Sequence, residues 1–204
     1  MGDFWTLFEK GGLVMPLLLA GSILTVAVAV ERIRVFRRMD ENSTLLLARL
    51  ETFLQRRDWS AALMEVKNNE SFCAVVAAAG LGQADRGGDS ANLAMEGAAN
   101  RGAARLRQRL DILSLMVTLA PLLGLFGTVI GMIRAFNVLN VRSGQPFAIT
   151  GGVGEALIAT AAGLCVAILS LAMLAYFRNR LDRMLNDAEE IASRILTAIM
   201  EQDP

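Results

Sequence analysis

The stretch "APLLGLFGTVIGMIRAF", residues 120–136, decides the fold, because it is apolar enough to lie in a lipid bilayer. Gly124, Thr128 and Gly131 are spaced four and three residues apart, so on a helix they share one face. A helix that contacts only lipid does not need a row of small residues with a hydroxyl group in it. The stretch therefore predicts a membrane helix with a specialised surface along one side.

Three stretches of the chain are long enough to cross a membrane. Residues 11–30, 112–133 and 156–177 contain no charged side chain over 20, 22 and 22 residues. At about 1.5 Å per residue, each reaches about 30 Å, the thickness of the hydrocarbon core. Buried helices of a soluble protein are the alternative, but three such stretches in 204 residues favour a membrane protein. The sequence predicts an all-α membrane protein with three transmembrane helices and long cytoplasmic helical extensions.

Arginine placement predicts the orientation, because basic residues accumulate on the cytoplasmic side. Four arginines follow the first span, four precede the second and three follow the third, whereas only Lys10, Arg134 and Arg142 flank the other ends. The predicted order is an external N-terminus (1–10), a first span (11–30), a cytoplasmic insert (31–111), a second span (112–136), an external loop (137–152), a third span (153–177) and a cytoplasmic C-terminal helix (178–204). The start has no basic region typical of a cleaved signal peptide, so we expect the first span to be retained.

The insert has a helical pattern of apolar residues, with Ser43 and Asp58 as predicted N-caps. The segment "DRGGDS", residues 85–90, predicts a break. Residues 91–113 then read as one helix that enters the second span without a stop. The C-terminal segment carries apolar residues at heptad spacing: Leu181, Leu185, Ala188, Ala192, Ile195 and Ile199. This seam packs either on the insert of the same chain or on another subunit.

Two matching stripes form the candidate site. Each has the order small residue, Thr, Gly, Ala at spacings of four, three and four: Gly124, Thr128, Gly131 and Ala135 in the second span, and Ala156, Thr160, Gly163 and Ala167 in the third. One interpretation is close helix packing, with each threonine bonded to a carbonyl one turn earlier. The other is a smooth wall of a cavity, with hydroxyl groups along it. Glu155, at the outer end of the third span, is either functional or a simple boundary residue.

Several functions are excluded by composition. The chain has no histidine and a formal net charge of zero, which argues against histidine-based catalysis and nucleic-acid binding. Cys73 and Cys165 are predicted to lie in different compartments, so they form no disulfide framework, and no spacing suits a metal. No Ser–Lys, paired-Asp or His–metal constellation of an intramembrane protease is present. We expect neither an enzyme nor a cofactor.

The two stretches "APLLGLFGTVIGMIRAF" and "GEALIATAAGLCVAI", residues 120–136 and 154–168, resemble the paired signature segments of the MotA/TolQ/ExbB proton channel family. Three spans, an external N-terminus and a large first insert resemble the ExbB and TolQ branch in particular. MotA has four spans and fits less well.

The resemblance implies a homo-pentamer in the inner membrane, whose second and third spans line a pore. It implies two copies of a single-span partner, ExbD or TolR, whose aspartate carries the proton, and a periplasmic TonB or TolA protein that receives the force. Thr128 and Thr160 match the family's pore threonines, and Glu155 its third-span acid. The alternatives are a TolQ-like rather than an ExbB-like role, a non-conducting membrane scaffold, and a secreted helical protein after signal cleavage.

Overall fold

The structure is a computed structural model that describes residues 12–40, 42–141 and 147–201, and it is helical throughout apart from short turns. A 3₁₀ turn covers Gly12–Val14 and another covers Ala84–Arg86. The α-helices are α1 (Met15–Met39), α2 (Ser43–Gln55), α3 (Trp59–Lys67), α4 (Phe72–Leu81), α5 (Gly88–Arg107), α6 (Leu110–Val141) and α7 (Phe147–Met200). The prediction of an all-α fold is confirmed for these residues.

Three helical segments, in α1, α6 and α7, are long and apolar enough to cross a membrane. The chain forms two compact units. The membrane unit comprises residues 1–30 and 109–176, and the insert unit comprises residues 31–108 and 177–204. The external N-terminus predicted for residues 1–10 lies outside the described residues. In the predicted loop at 137–152, α6 continues to Val141 and α7 begins at Phe147, so helix extends into both ends of that range.

The membrane unit packs through small and medium side chains. Val14, Leu18, Ala120 and Ala167 form a buried cluster between its three apolar segments. Large apolar side chains point outward from all three segments, among them Leu17, Ile23, Leu122, Ile133, Leu157 and Ile168. In water such a surface would be costly, whereas in hydrocarbon it is the expected surface of a membrane protein.

The insert unit has a core of large apolar side chains. The rings of Phe36 and Phe177 lie 5.3 Å apart between centroids, and Phe72 is 1% exposed. Gly102 on α5 packs directly on Phe72, because a Cβ at position 102 would lie 2.5 Å from the ring. The glycine therefore sets how closely α5 approaches the helix that carries Phe72.

Side-chain caps begin α2, α3 and α4 of the insert, and the first two bear on the sequence predictions. Asp58 is the N-cap of α3, as predicted: its carboxylate accepts from the Ala61 N–H at 3.0 Å and the Ser60 hydroxyl at 2.8 Å. These hydrogen bonds hold the pKa of Asp58 below its ordinary value. The prediction for Ser43 is wrong by one residue. Asn42 is the cap of α2, because its side chain accepts from the Leu45 N–H at 3.3 Å.

The prediction of one unbroken helix over residues 91–113 is wrong. Helix α5 ends at Arg107, and Arg109 adopts a left-handed conformation with φ of 62° before α6 begins. The buried guanidinium of Arg32 donates to the Arg105 carbonyl at 3.3 Å. That carbonyl belongs to the last turn of α5, where helical partners are missing. The contact joins residues 73 positions apart, so no local pattern signals it.

The C-terminal seam is buried inside this chain. Over residues 178–200 of α7, the buried positions are Leu181, Met184, Ala188, Ile191, Ile195 and Ile199. Four of them coincide with the predicted seam, while Leu185 and Ala192 are half-buried. Their burial in a single chain agrees with packing on the insert's own helices, one of the two interpretations left open.

A substitution in the insert tests the packing of Gly102. Gly102→Ala forces a Cβ into the Phe72 ring, whereas Gly97→Ala on the same helix meets only the flexible Arg101 side chain at 3.3 Å. Overpacking costs about 1–3 kcal/mol, which exceeds the roughly 1 kcal/mol that alanine adds in helix propensity. We expect a lower thermal unfolding midpoint for Gly102→Ala and an unchanged or higher one for Gly97→Ala, measured by Trp59 fluorescence with Trp5 replaced by Phe. Equal midpoints would contradict the described contact.

Candidate functional site

The two predicted stripes face each other in the membrane unit. A Cβ at Gly124 would lie 3.0 Å from the Ala159 carbonyl oxygen and from the Thr160 Cα. A Cβ at Gly131 would lie 2.9 Å from the Ala156 Cβ. Helices α6 and α7 are therefore in contact along the predicted stripes.

The closest approach is at Gly163. A Cβ there would lie 2.5 Å from the Ala120 carbonyl oxygen and 3.1 Å from the Gly124 Cα. Because these are main-chain atoms, no side-chain rotation could make room. Glycine lets helix backbones approach this closely, and close approach is what stabilises helix pairs in lipid.

The six small residues of the stripes are all buried, namely Gly124, Gly131, Ala135, Ala156, Gly163 and Ala167. Contact between two helices of one chain accounts for each glycine in this set. This is the arrangement that the packing interpretation predicts. A role for these residues on the face of a pore stays a prediction.

Thr160 is the side chain that links the two helices. Its hydroxyl donates to the Gly124 carbonyl oxygen at 3.0 Å, and the residue is half-buried. The alternative that Thr160 bonds one turn back within its own helix is therefore wrong. The hydroxyl reaches the neighbouring helix because Gly124 has no side chain in the way.

Thr128 differs from Thr160 although the two occupy matching positions in the stripes. The Thr128 hydroxyl donates to the Leu125 carbonyl oxygen of its own helix at 2.6 Å, and the residue is half-buried. This back-bond is the local alternative that the sequence left open. The structure thus brings Thr160, but not Thr128, into a hydrogen bond between helices.

Glu155 lies in α7 directly before Ala156, and its side chain lies outside the described set. The uncharged stretches of the three spans hold no carboxylate at all. No group of residues that could hold a metal ion occurs in the part of the chain that the structure describes. The polar side-chain groups of the two stripes are the hydroxyls of Thr128 and Thr160, which can donate and accept hydrogen bonds but carry no charge.

Sequence reasoning missed one polar contact in the membrane unit, the pair Thr25 and Ser170. Both residues lie inside uncharged windows. Serine and threonine also occur at other positions of those windows, including Ser22 and Thr118. Composition therefore cannot single out the two hydroxyl groups that meet.

Comparison with known proteins assigns the family. The family model described as the MotA/TolQ/ExbB proton channel family matches residues 68–190, more than half of the chain. The chain belongs to the MotA/TolQ/ExbB proton channel family. The matched region includes both stripes and Glu155, and it begins after the first span. Membership and the three apolar helices point to an inner-membrane protein, and the family is one of proton channels rather than enzymes.

Individual relatives carry ExbB and TolQ names. The ExbB-like protein 1 of Synechocystis is 38% identical over 173 residues, covering 80% of this chain and 66% of the relative. The ExbB homologue of Methanothermobacter thermautotrophicus is 28% identical over 191 residues, covering 93% and 68%. The Tol-Pal system protein TolQ of Haemophilus influenzae is 40% identical over 98 residues, covering 48% and 41%. The chain thus spans about two thirds of the length of the first two relatives.

The contact at Gly163 yields a paired prediction. Gly163→Ala places a methyl group against the Ala120 carbonyl, whereas a Cβ at Gly154 meets no atom within 4 Å. Both changes are glycine to alanine in α7, so helix propensity changes equally. We expect Gly163→Ala to lower the free energy of unfolding in detergent by about 1–3 kcal/mol and Gly154→Ala to leave it unchanged. A tolerated Gly163→Ala would refute the close backbone contact.

Proposed function

We propose that this chain is an ExbB-like stator subunit of the inner membrane. With an ExbD-like single-span partner it conducts protons, and it converts the proton motive force into mechanical work on a TonB-like periplasmic protein. Family membership and the ExbB names of its relatives support this role. In the proposed assembly five copies form a ring, and two copies of the partner stand inside it.

The apolar stretches 11–30, 112–133 and 156–177 contain no carboxylate, and this supports different roles for this chain and its partner in proton transfer. A proton that crosses hydrocarbon needs an ionisable group to bind it, and none of the three spans supplies one at depth. The partner helix therefore contributes the acid. This chain contributes hydroxyl groups near the acid, with Thr160 as the principal candidate and Thr128 and Glu155 as further members of the path.

Thr160 is suited to that task by its hydrogen bonding. Its proton goes to the Gly124 carbonyl, which leaves the lone pairs of its oxygen free to accept. The same carbonyl is within the continuous helix α6, where it also accepts the regular main-chain bond. The Thr160 proton can therefore leave Gly124 for a nearby carboxylate without stranding an unpaired main-chain group.

Removing the Thr160 hydroxyl tests the proposal. Thr160→Val keeps the shape, and Thr160→Ser is the control that keeps the hydroxyl. A hydrogen bond to a charged group is worth about 1.5–3 kcal/mol, so its loss should slow proton flux about tenfold or more. The measurement is the internal pH of liposomes that contain the chain with its single-span partner. Ring assembly is scored separately by native mass spectrometry and should stay normal.

The second candidate is a non-conducting scaffold, favoured by the burial of all six small residues of the stripes. In that case function follows assembly alone. An assembled Thr160→Val ring would be fully active, and Gly163→Leu would abolish both assembly and activity. A TolQ-like role, in which a TolA-like protein receives the force, is supported by the Haemophilus relative. It makes the same predictions for Thr160.

Orientation is tested by cysteine labelling in a background with Cys73→Ala and Cys165→Ala. We expect Ser143→Cys to react with a membrane-impermeant thiol reagent from the periplasmic side. Ser60→Cys, on an exposed residue of the insert unit, should react only after the membrane is opened. The reverse pattern would overturn the proposed orientation and the direction of proton flow.

A further inference from the structure

Two hydroxyl groups meet inside the membrane unit, away from the contact between α6 and α7. Thr25 on α1 and Ser170 on α7 have their oxygen atoms 3.0 Å apart, although the residues are 145 positions apart in sequence. Both residues are 0% exposed. Thr25 lies outside residues 68–190, so the family match gives it no role.

The direction of the hydrogen bond follows from the number of protons. A serine hydroxyl has one proton, and that of Ser170 goes to the Val166 carbonyl oxygen at 2.8 Å. Thr25 is therefore the donor and Ser170 the acceptor. The result is a chain of two hydrogen bonds that runs from α1 through Ser170 to the backbone of α7.

This pair defines how α1 lies on α7. Other buried residues at this end of the chain, Leu18 on α1 and Val14 in the 3₁₀ turn before it, are apolar and contribute contacts that tolerate small shifts along or around the helix. No water can replace the partner of a hydroxyl group buried in the membrane, so a shift in register loses the bond between the helices and leaves Thr25 only a carbonyl of its own helix. Polar pairs at otherwise apolar helix interfaces are known to specify register in this way.

We propose that the Thr25–Ser170 hydrogen bond is a permanent clamp. It makes the membrane-spanning parts of α1 and α7 one rigid body, which stays intact while the protein works. Any sliding or turning then occurs at other surfaces and not between these two helices of one chain. The hydrogen bond between Thr25 and Ser170 is observed in the structure and does not depend on the proposed function. Only the claim that it persists while the protein works rests on that function.

Disulfide trapping tests the register. The chain with Thr25→Cys and Ser170→Cys, in the Cys73→Ala and Cys165→Ala background, should form an intramolecular disulfide in native membranes. The matched control combines Thr25→Cys with Leu171→Cys, since Leu171 is 53% exposed and lies on another face of α7. It should remain reduced under the same oxidant. Equal trapping of both pairs would overturn the clamp.

Hydroxyl removal tests the hydrogen bond itself. Thr25→Val and Ser170→Ala should each lower the folding equilibrium constant in detergent by about threefold to twentyfold, the range measured for polar pairs between membrane helices. The double variant should be no worse than the poorer single one, because both remove the same bond. Thr25→Ser keeps the donor and should restore the equilibrium. Additive losses would contradict the pairing.

The last experiment asks whether the clamp opens during work. Oxidised and reduced forms of the chain with Thr25→Cys and Ser170→Cys are compared in liposomes with the single-span partner. We expect proton flux within about twofold in the two forms. Inhibition on oxidation that reverses on reduction would show sliding and overturn the permanent clamp. If even the unsubstituted chain gave no flux, the proposed function would fail, while the trapping and stability results would still decide the clamp.

Discussion

The membrane unit depends on the contact between the backbones of α6 and α7 at Gly163. A Cβ at this position would come within 2.5 Å of a main-chain oxygen, so any other residue forces the helices apart. Lipid provides no hydrophobic drive for helix association, and close backbone packing has to supply the attraction. The same approach brings Thr160 to the Gly124 carbonyl at 3.0 Å. The close approach of α6 and α7 therefore provides both the backbone packing at Gly163 and the hydrogen bond of Thr160.

The apolar windows and the spacing of the stripes could be predicted because they are local and periodic. The length and lack of charge of each window predict a membrane-spanning helix. Small residues spaced four and three apart predict that they share one face of that helix. That the stripes would meet each other inside one chain could not be predicted, since the same pattern suits contact with a neighbouring subunit or a cavity. The sequence singled out Thr160, and one of its two interpretations placed the hydroxyl on a carbonyl of its own helix, whereas the structure places it on the Gly124 carbonyl of α6.

Two features that sequence reasoning missed depend on contacts between distant residues. The break at Arg109 occurs where Arg32 reaches the last turn of α5, and a charged, helix-favouring segment gives no sign of it. The partners Thr25 and Ser170 are two of several hydroxyl residues in uncharged windows. The cap of α2 is a local case. Asn42 and Ser43 are adjacent and have similar capping preferences, so the sequence does not decide between them.

The hydrogen bonds that Thr160 and Thr25 make between helices differ in what happens when they break. The acceptor of Thr160 is a carbonyl within the main-chain hydrogen bonding of α6, and Thr160 is half-buried, so its proton can move to another acceptor at little cost. Thr25 and Ser170 are 0% exposed, so breaking their bond loses a contact between two helices that no water can replace. The same type of side chain thus forms a half-buried contact at one place and a fully buried one at the other. The proposed function uses this difference, because a subunit that passes protons and keeps its own helices together needs one contact that exchanges and one that persists.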